Sequence, residues 1–149
     1  MFLTHLHLDH ISGISAIDKQ VPLYVGQGET QESYFLYAAT RGATDTMLNG
    51  RPALQEWTAK YIDVFSDGSV FAIHSPGHTA GSTAYLVNTF EGPVLFTGDA
   101  SHTAWGWTHG VEPGSFSTDQ TRSRESLDEL IKLVKSYPEI RVQPGHQSL

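Results

Sequence analysis

Short apolar runs alternate with polar turns along most of this chain, a pattern of strands broken by a few helical stretches. MFLT at the start reads as the end of a strand. In DHISGISAIDK, Ile11, Ile14 and Ile17 fall at the spacing of a short helix with one apolar side. VPLYVG, residues 21–26, reads as a buried strand. Residues 29–60 lack a period of two. Tyr34, Phe35, Leu36, Tyr37, Leu48, Leu54 and Trp57 stand there between polar residues, which predicts helical pieces and loops forming a cap over a site. Strands resume with YIDVF and VFAIHS, joined through Ser66-Asp67-Gly68-Ser69, where glycine accepts the positive φ of a hairpin turn. STAYLVN and, past Glu91-Gly92-Pro93, PVLFTGD give two more strands, and residues 101–120 read as a loop bearing Gly, Ser and Trp. Leu127, Leu130, Ile131 and Val134 then fall at i, i+3, i+4 and i+7, predicting a helix over about 121–136 with one face on a sheet. IRVQPGHQ ends the chain as a short strand and loop.

Strands alternating with helices make this an α/β chain, and 149 residues suit a single domain over 1–149. A domain of this size buries roughly 70% of the surface its unfolded chain exposes. The net charge is -7, with no run of Lys or Arg to follow a phosphate backbone, which argues against nucleic acid. No apolar stretch approaches the roughly 18 residues of a membrane span, and MFLTHLH is too short and too weakly basic for a signal peptide, so the expected location is cytoplasmic. Cysteine is absent, which excludes disulfides and thiolate metal sites. Any metal must take nitrogen and oxygen ligands.

Candidate chemistry starts at THLHLDH, residues 4–10. His5 and His7, two apart on an extended segment, point from the same side of the pleat and can grip one cation. Asp9 and His10 begin the helical stretch, face another direction and can hold a second. His78, Asp99 and His146 each follow an apolar strand-like run, in SPGH, FTGD and QPGH, and each is preceded by glycine, which lets the backbone turn tightly off a sheet. A single histidine is more often structural than ligating, and a chance HxHxDH at this composition is on the order of one in a thousand. His74 and His109 read as a strand-face and a loop residue.

Together, THLHLDH, SPGHTAGS, FTGD and PGH, in this order, resemble the signature of the metallo-β-lactamase-fold superfamily, from the first residue of the chain to the last. The resemblance implies an αββα sandwich with a two-metal site along one edge of the facing sheets. It implies that His5, His7 and His78 hold one divalent cation, Asp9, His10 and His146 a second, and that Asp99 bridges them. Zinc is the expected metal; manganese, iron or cobalt also suit these donors. In such sites a shared hydroxide attacks a carbonyl polarised by one metal, and Asp9 relays the proton.

GDASHT, the Trp-bearing loop, the amphipathic helix and PGHQ are similar to the lactonase-like branch. Those lactonases carry a tyrosine three residues after the bridging aspartate, and here that place is His102, a candidate hydrogen-bond donor or proton shuttle. Tyr34, Trp105 and Trp107 are candidate substrate contacts, because loop aromatics near a metal can form an acyl pocket. Family members have several strands before HxHxDH and this chain has only MFL. The expectation is a first sheet lacking its N-terminal strands and a homo-oligomer covering the exposed edge. The expected activity is hydrolysis of a lactone or carboxylic ester. The alternatives are β-lactam or thioester hydrolysis, an iron oxygenase of the same fold, and a truncated, non-catalytic metal-binding protein.

Overall fold

Alternation along one strand divides the interior in two. In β5 (Thr83–Thr89) the pleat sends successive side chains to opposite faces. Ala84 and Leu86 join a cluster with Ile73, Leu95, Ala100, Leu130 and Ile140. Tyr85 turns the other way, donates its hydroxyl to the Leu3 carbonyl at 2.8 Å and meets the rings of Phe2 and Trp57 at 6.5 and 6.1 Å. The computed structural model describes residues 1–31 and 35–146, with nothing stated of the side chains of 35–39.

The larger sheet has the order β3-β4-β5-β6-β7, with β3 (Tyr61–Asp63), β4 (Val70–His74), β6 (Gly92–Phe96) and β7 (Arg141–Gln143). Its pairs are antiparallel except β6 with β7. A parallel pair needs a long crossover. Here the crossover carries α3 (Ala104–His109) and α4 (Gln120–Ser136). Along α4, Ser123, Ser126, Leu127 and Leu130 are buried, with Leu133 and Val134 packed beside them on the sheet's cluster, as the i, i+3, i+4, i+7 spacing predicts.

The smaller sheet pairs β1 (Tyr24–Gly26) in parallel with β2 (Gln55–Trp57), and Phe2 bridges to Tyr24 alongside. Its crossover contains α2 (Phe35–Leu48). Leu23 and Val25 point into a second cluster with Leu3, Leu6, Ile11 and Ile14, against which Met47, Leu48 and Leu54 pack. Tyr24, on the opposite face, stacks on Phe2 at 5.0 Å. The layers therefore run helix, sheet, sheet, helix, with α1 (Leu8–Ile11) and α2 on one outer face, α3 and α4 on the other, and aromatic rings between the sheets. This is the expected sandwich.

Two elements depart from the sequence expectations. Residues 101–120, read as a loop, contain α3, whose six residues are too short to show an apolar period; the Thr103 hydroxyl caps it by accepting from the Gly106 amide at 3.0 Å, and Gly110 ends it at φ 62°. The stretch 29–60, read as helices and loops, also supplies β2, which is three residues long and mostly exposed. Among the described residues no helix is long and apolar enough to cross a membrane.

Leu95, on β6, is fully buried in the core cluster of the larger sheet. Leu95→Ala should lower unfolding stability by about 2–5 kcal/mol in a urea titration.

Candidate metal centre

The ligand candidates come from four separate places in the chain, so their convergence depends on how each loop leaves its sheet. His5 and His7 sit on the extended segment entering α1; Asp9 and His10 lie inside α1. His78 follows β4, Asp99 lies in the turn Gly98–Ala100 after β6, and His146 follows β7. Two of the preceding glycines are dictated by geometry. Gly77 has φ 133°, and a Cβ there would collide with the backbone of Ser123 at the start of α4. At Gly145 a Cβ would collide with Asp99 Oδ1. A side chain at either position would push His78 or His146 out of place.

Asp99 is the centre of the cluster and is 4% exposed. Its Oδ2 lies 3.1 Å from His146 Nε2, 3.2 Å from His102 Nε2, 3.4 Å from His78 Nε2 and 3.8 Å from His5 Nε2, while Oδ1 lies 3.2 Å from His10 Nε2. Asp9 Oδ2 stands 3.4 Å from both His10 and His146 Nε2. His7 Nδ1 is 3.0 Å from His78 Nε2. Donor atoms fall into three groups, each within 4.8 Å: His5, His7 and His78; Asp9, His10, Asp99 and His146; and His78, Asp99 and His102.

Hydrogen bonds join His146 to Asp99 and His7 to His78, at 3.1 and 3.0 Å, and leave other donor atoms of the cluster unpaired. His5 Nε2, His78 Nδ1, His102 Nε2 and Asp99 Oδ1 are buried with no hydrogen-bond partner, although the nitrogens of His102 and His10 come within 3.2 Å of the carboxylate. Buried polar atoms are rarely left this way without an ion or water to meet them. Protonation states agree. Burial, reinforced by the charges of His10 and His78, holds His5 well below the usual histidine range. Burial, outweighing Asp99, pushes His78 down to about 3. Burial would raise Asp99, but His10 and His102 against it, and the charges of His5 and His10, hold it well below the usual carboxylate range. Burial lowers His10, yet contact with Asp99 and the charges of Asp99 and Asp9 raise it on balance. Neutral imidazole and ionised carboxylate are the forms that bind metal.

The cluster floors a cavity of about 470 Å³ lined by His7, Leu8, Asp9, Thr40, His78, Asp99, His102, Phe116 and His146. Trp105 and Trp107, two of the expected substrate contacts, are not among these. Trp105 is 61% exposed and stacks on His109 at 4.3 Å, on the outside of α3. Trp107 packs against the core cluster of the larger sheet. Tyr34 lies outside the described residues. The aromatic that reaches the cavity from this loop is Phe116, its ring 5.9 Å from His102. A six-residue helix at 104–109 turns both tryptophans away, which a reading of 101–120 as loop could not anticipate.

The model of the metallo-beta-lactamase superfamily matches residues 1–146. The chain belongs to that superfamily. Among relatives of this chain, N-acyl homoserine lactonase AttM of Azorhizobium caulinodans is 30% identical over 170 residues, covering 96% of this chain and 61% of that one. A cytoplasmic hydroxyacylglutathione hydrolase of Arabidopsis thaliana is 33% identical over 98 residues, 64% of this chain and 32% of that one. The solved structure of a quorum-quenching N-acyl homoserine lactone lactonase superposes with a TM-score of 0.76 at 25% identity, over 98% of this chain and 57% of that one. The chain thus fits the lactonase-like branch and spans about three fifths of the length of those lactonases.

One residue that sequence reasoning missed ties the ligand loops together. Glu29, in the turn Glu29–Gln31, is 1% exposed. Its Oε1 accepts the Leu6 amide at 2.7 Å, between His5 and His7, and its Oε2 accepts the Thr79 hydroxyl at 2.6 Å and the Gly81 amide at 3.0 Å, just past His78. A lone glutamate inside a polar stretch carries no local signal, because its partners are 23 to 52 positions away. Thr4 acts beside it: its hydroxyl lies 3.2 Å from His5 Nδ1 and 3.3 Å from His10 Nδ1, on the ring nitrogens opposite those facing Asp99.

Two outcomes follow. Glu29→Ala orphans two buried amides and should destabilise the protein by about 1–3 kcal/mol for each; Glu29→Gln should recover part of this in the same denaturation assay. Held under chelator, the protein should lose stability as pH falls below 6.5, because unfolded histidines take up protons that His5 and His78 refuse when folded. His10, raised on folding, opposes this with one proton. A melting temperature that declines from pH 7.5 to 4.5 is the expected result.

Proposed function

We propose that this chain is a metal-dependent hydrolase that opens a lactone or carboxylic ester. His5, His7 and His78 would hold one divalent cation, Asp9, His10 and His146 a second, and Asp99 would bridge the two. Zinc suits this nitrogen and oxygen donor set. The observation that carries the reading is the buried Asp99 carboxylate, with the nitrogens of His5, His10, His78 and His146 at 3.1–3.8 Å, on the floor of an open cavity.

Bound there, two cations supply Lewis acidity towards a carbonyl and lower the pKa of a water towards neutrality. The chain's own residues do the rest. The Asp9 side chain is 58% exposed on the cavity wall, where it can accept a proton and return it to a leaving alcohol. Leu8 and Phe116 give the substrate an apolar wall. No lysine or arginine lines the cavity among the described residues, and the sequence places none in 32–39 or 147–149. A substrate with a second anionic group finds no fixed cation, which favours a neutral ester over a polyanion. The lactonases among the relatives support the same class.

Thioester hydrolysis is the second reading, favoured by the similarity to the Arabidopsis hydroxyacylglutathione hydrolase. Elemental analysis of metal-replete protein, with turnover of a panel of lactones, aryl esters, thioesters and β-lactams, separates the two. Two metals per chain and lactone or ester turnover lost on chelation are expected. Asp99→Ala should reduce turnover by more than about a hundredfold, the upper end of what loss of an outer partner alone costs. Metal content near zero overturns the proposal, and turnover confined to thioesters selects the second reading.

A further inference from the structure

We propose that His102 is itself a metal ligand, donating to a cation that it shares with His78 and Asp99. The inference rests on the two-cation reading above and adds a donor to it.

The backbone holds His102 in place from two sides. The Gly145 amide donates to the Ser101 carbonyl at 3.2 Å and the His146 amide to the His102 carbonyl at 3.0 Å, so the loops after β6 and β7 lie side by side. The next residue, Thr103, caps α3. The His102 ring is thereby set 4.6 Å from that of His146 and 5.7 Å from that of His78. Its side chain is 26% exposed, yet Nε2 is buried and lies 3.2 Å from Asp99 Oδ2. A group serving as hydrogen-bond donor to substrate would show that nitrogen to the cavity. It has no hydrogen-bond partner. The donor atoms of His102, Asp99 and His78 lie within 4.8 Å of one another, the same spread as His5, His7 and His78.

The consequence is an asymmetric pair. The first cation, faced by His78 and Asp99, is enclosed by side chains that are 0% exposed at His5 and 2% at His78, and an added imidazole leaves it little open coordination. The second is held by Asp9 and His146, 58% and 43% exposed, and keeps access to substrate. An added imidazole also biases the first site towards zinc, nickel or copper over manganese.

The test titrates metal-free protein with Co²⁺ and Zn²⁺ against a chromogenic chelator, following the visible absorption of bound cobalt, in the parent chain, His102→Phe and His102→Gln. Metal-free melting and circular dichroism establish that each variant folds. Coordination predicts that both variants lose at least about tenfold in affinity for the tighter cation, with an altered cobalt spectrum for the first equivalent. Unchanged affinity and spectrum overturn it, even where turnover falls, since His102 then acts on substrate alone. Full recovery by His102→Gln also overturns it, because the amide replaces a hydrogen bond but is a poor ligand for these metals. A parent chain binding fewer than two cations refutes the underlying two-cation reading whatever the variants do.

Discussion

An ionised carboxylate taken out of water must be compensated where it lies, and the layout around Asp99 follows from that requirement. The residue is 4% exposed, at the turn where β6 runs out, with imidazole nitrogens facing it from the loops after β4 and β7, from α1 and from the segment before it. Burial makes His5 and His78 poor bases, so these two do not neutralise it by protonation, whereas Asp99 and Asp9 raise His10 on balance. Nε2 of His5 and Nδ1 of His78 are buried without a hydrogen-bond partner, which costs the fold stability that a bound cation would return.

That coupling needs rigid mounting, and the mounts are polar groups with no chemistry of their own. Glu29 fastens the amide between His5 and His7 to the loop that follows His78, so the ligand-bearing segments of the two sheets move as one body. Glu29 is in turn seated by Glu56, which accepts the Gly28 and Thr30 amides at 3.2 and 2.8 Å and links the turn to β2. Thr83 donates its amide to the Thr4 carbonyl at 2.9 Å, adding a direct backbone tie between the layers at the level of the site. Ligands at the ends of strands thus inherit the stiffness of both sheets, which explains a site on the rim of the sandwich rather than in a free loop.

The residues that cluster around Asp99 were legible from sequence because their signal is local: two histidines at the pleat period, an acid and a histidine entering a helix, and glycines before His78, Asp99 and His146. Chemistry that depends on distant partners was not. Glu29 looks like any exposed glutamate until the fold brings Leu6 and Thr79 to it. Trp105 and Trp107 are ordinary loop aromatics until a capped six-residue helix sends one outward and one into the core. β4, β5, β6 and α4 were readable because their periods span five residues or more, and β1 because it ends the apolar run VPLYVG. β2 is three residues long and mostly exposed, and shows no period of its own.

Exposure around the site bears on where substrate selection arises. The inner donors, His5 and His78, are sealed by both core layers and leave no room for variation without loss of packing. Among the outer groups, Leu8 and Asp9 belong to α1, Thr40 to α2, Phe116 to the crossover before α4, and His146 to the loop after β7. On the proposed reading, chemistry and selectivity belong to different depths of one cavity: the floor would supply an activated nucleophile suited to esters in general, and the rim, with Leu8 and Phe116 and no lysine or arginine among the described residues, would set which acyl or alcohol group can lie beside it.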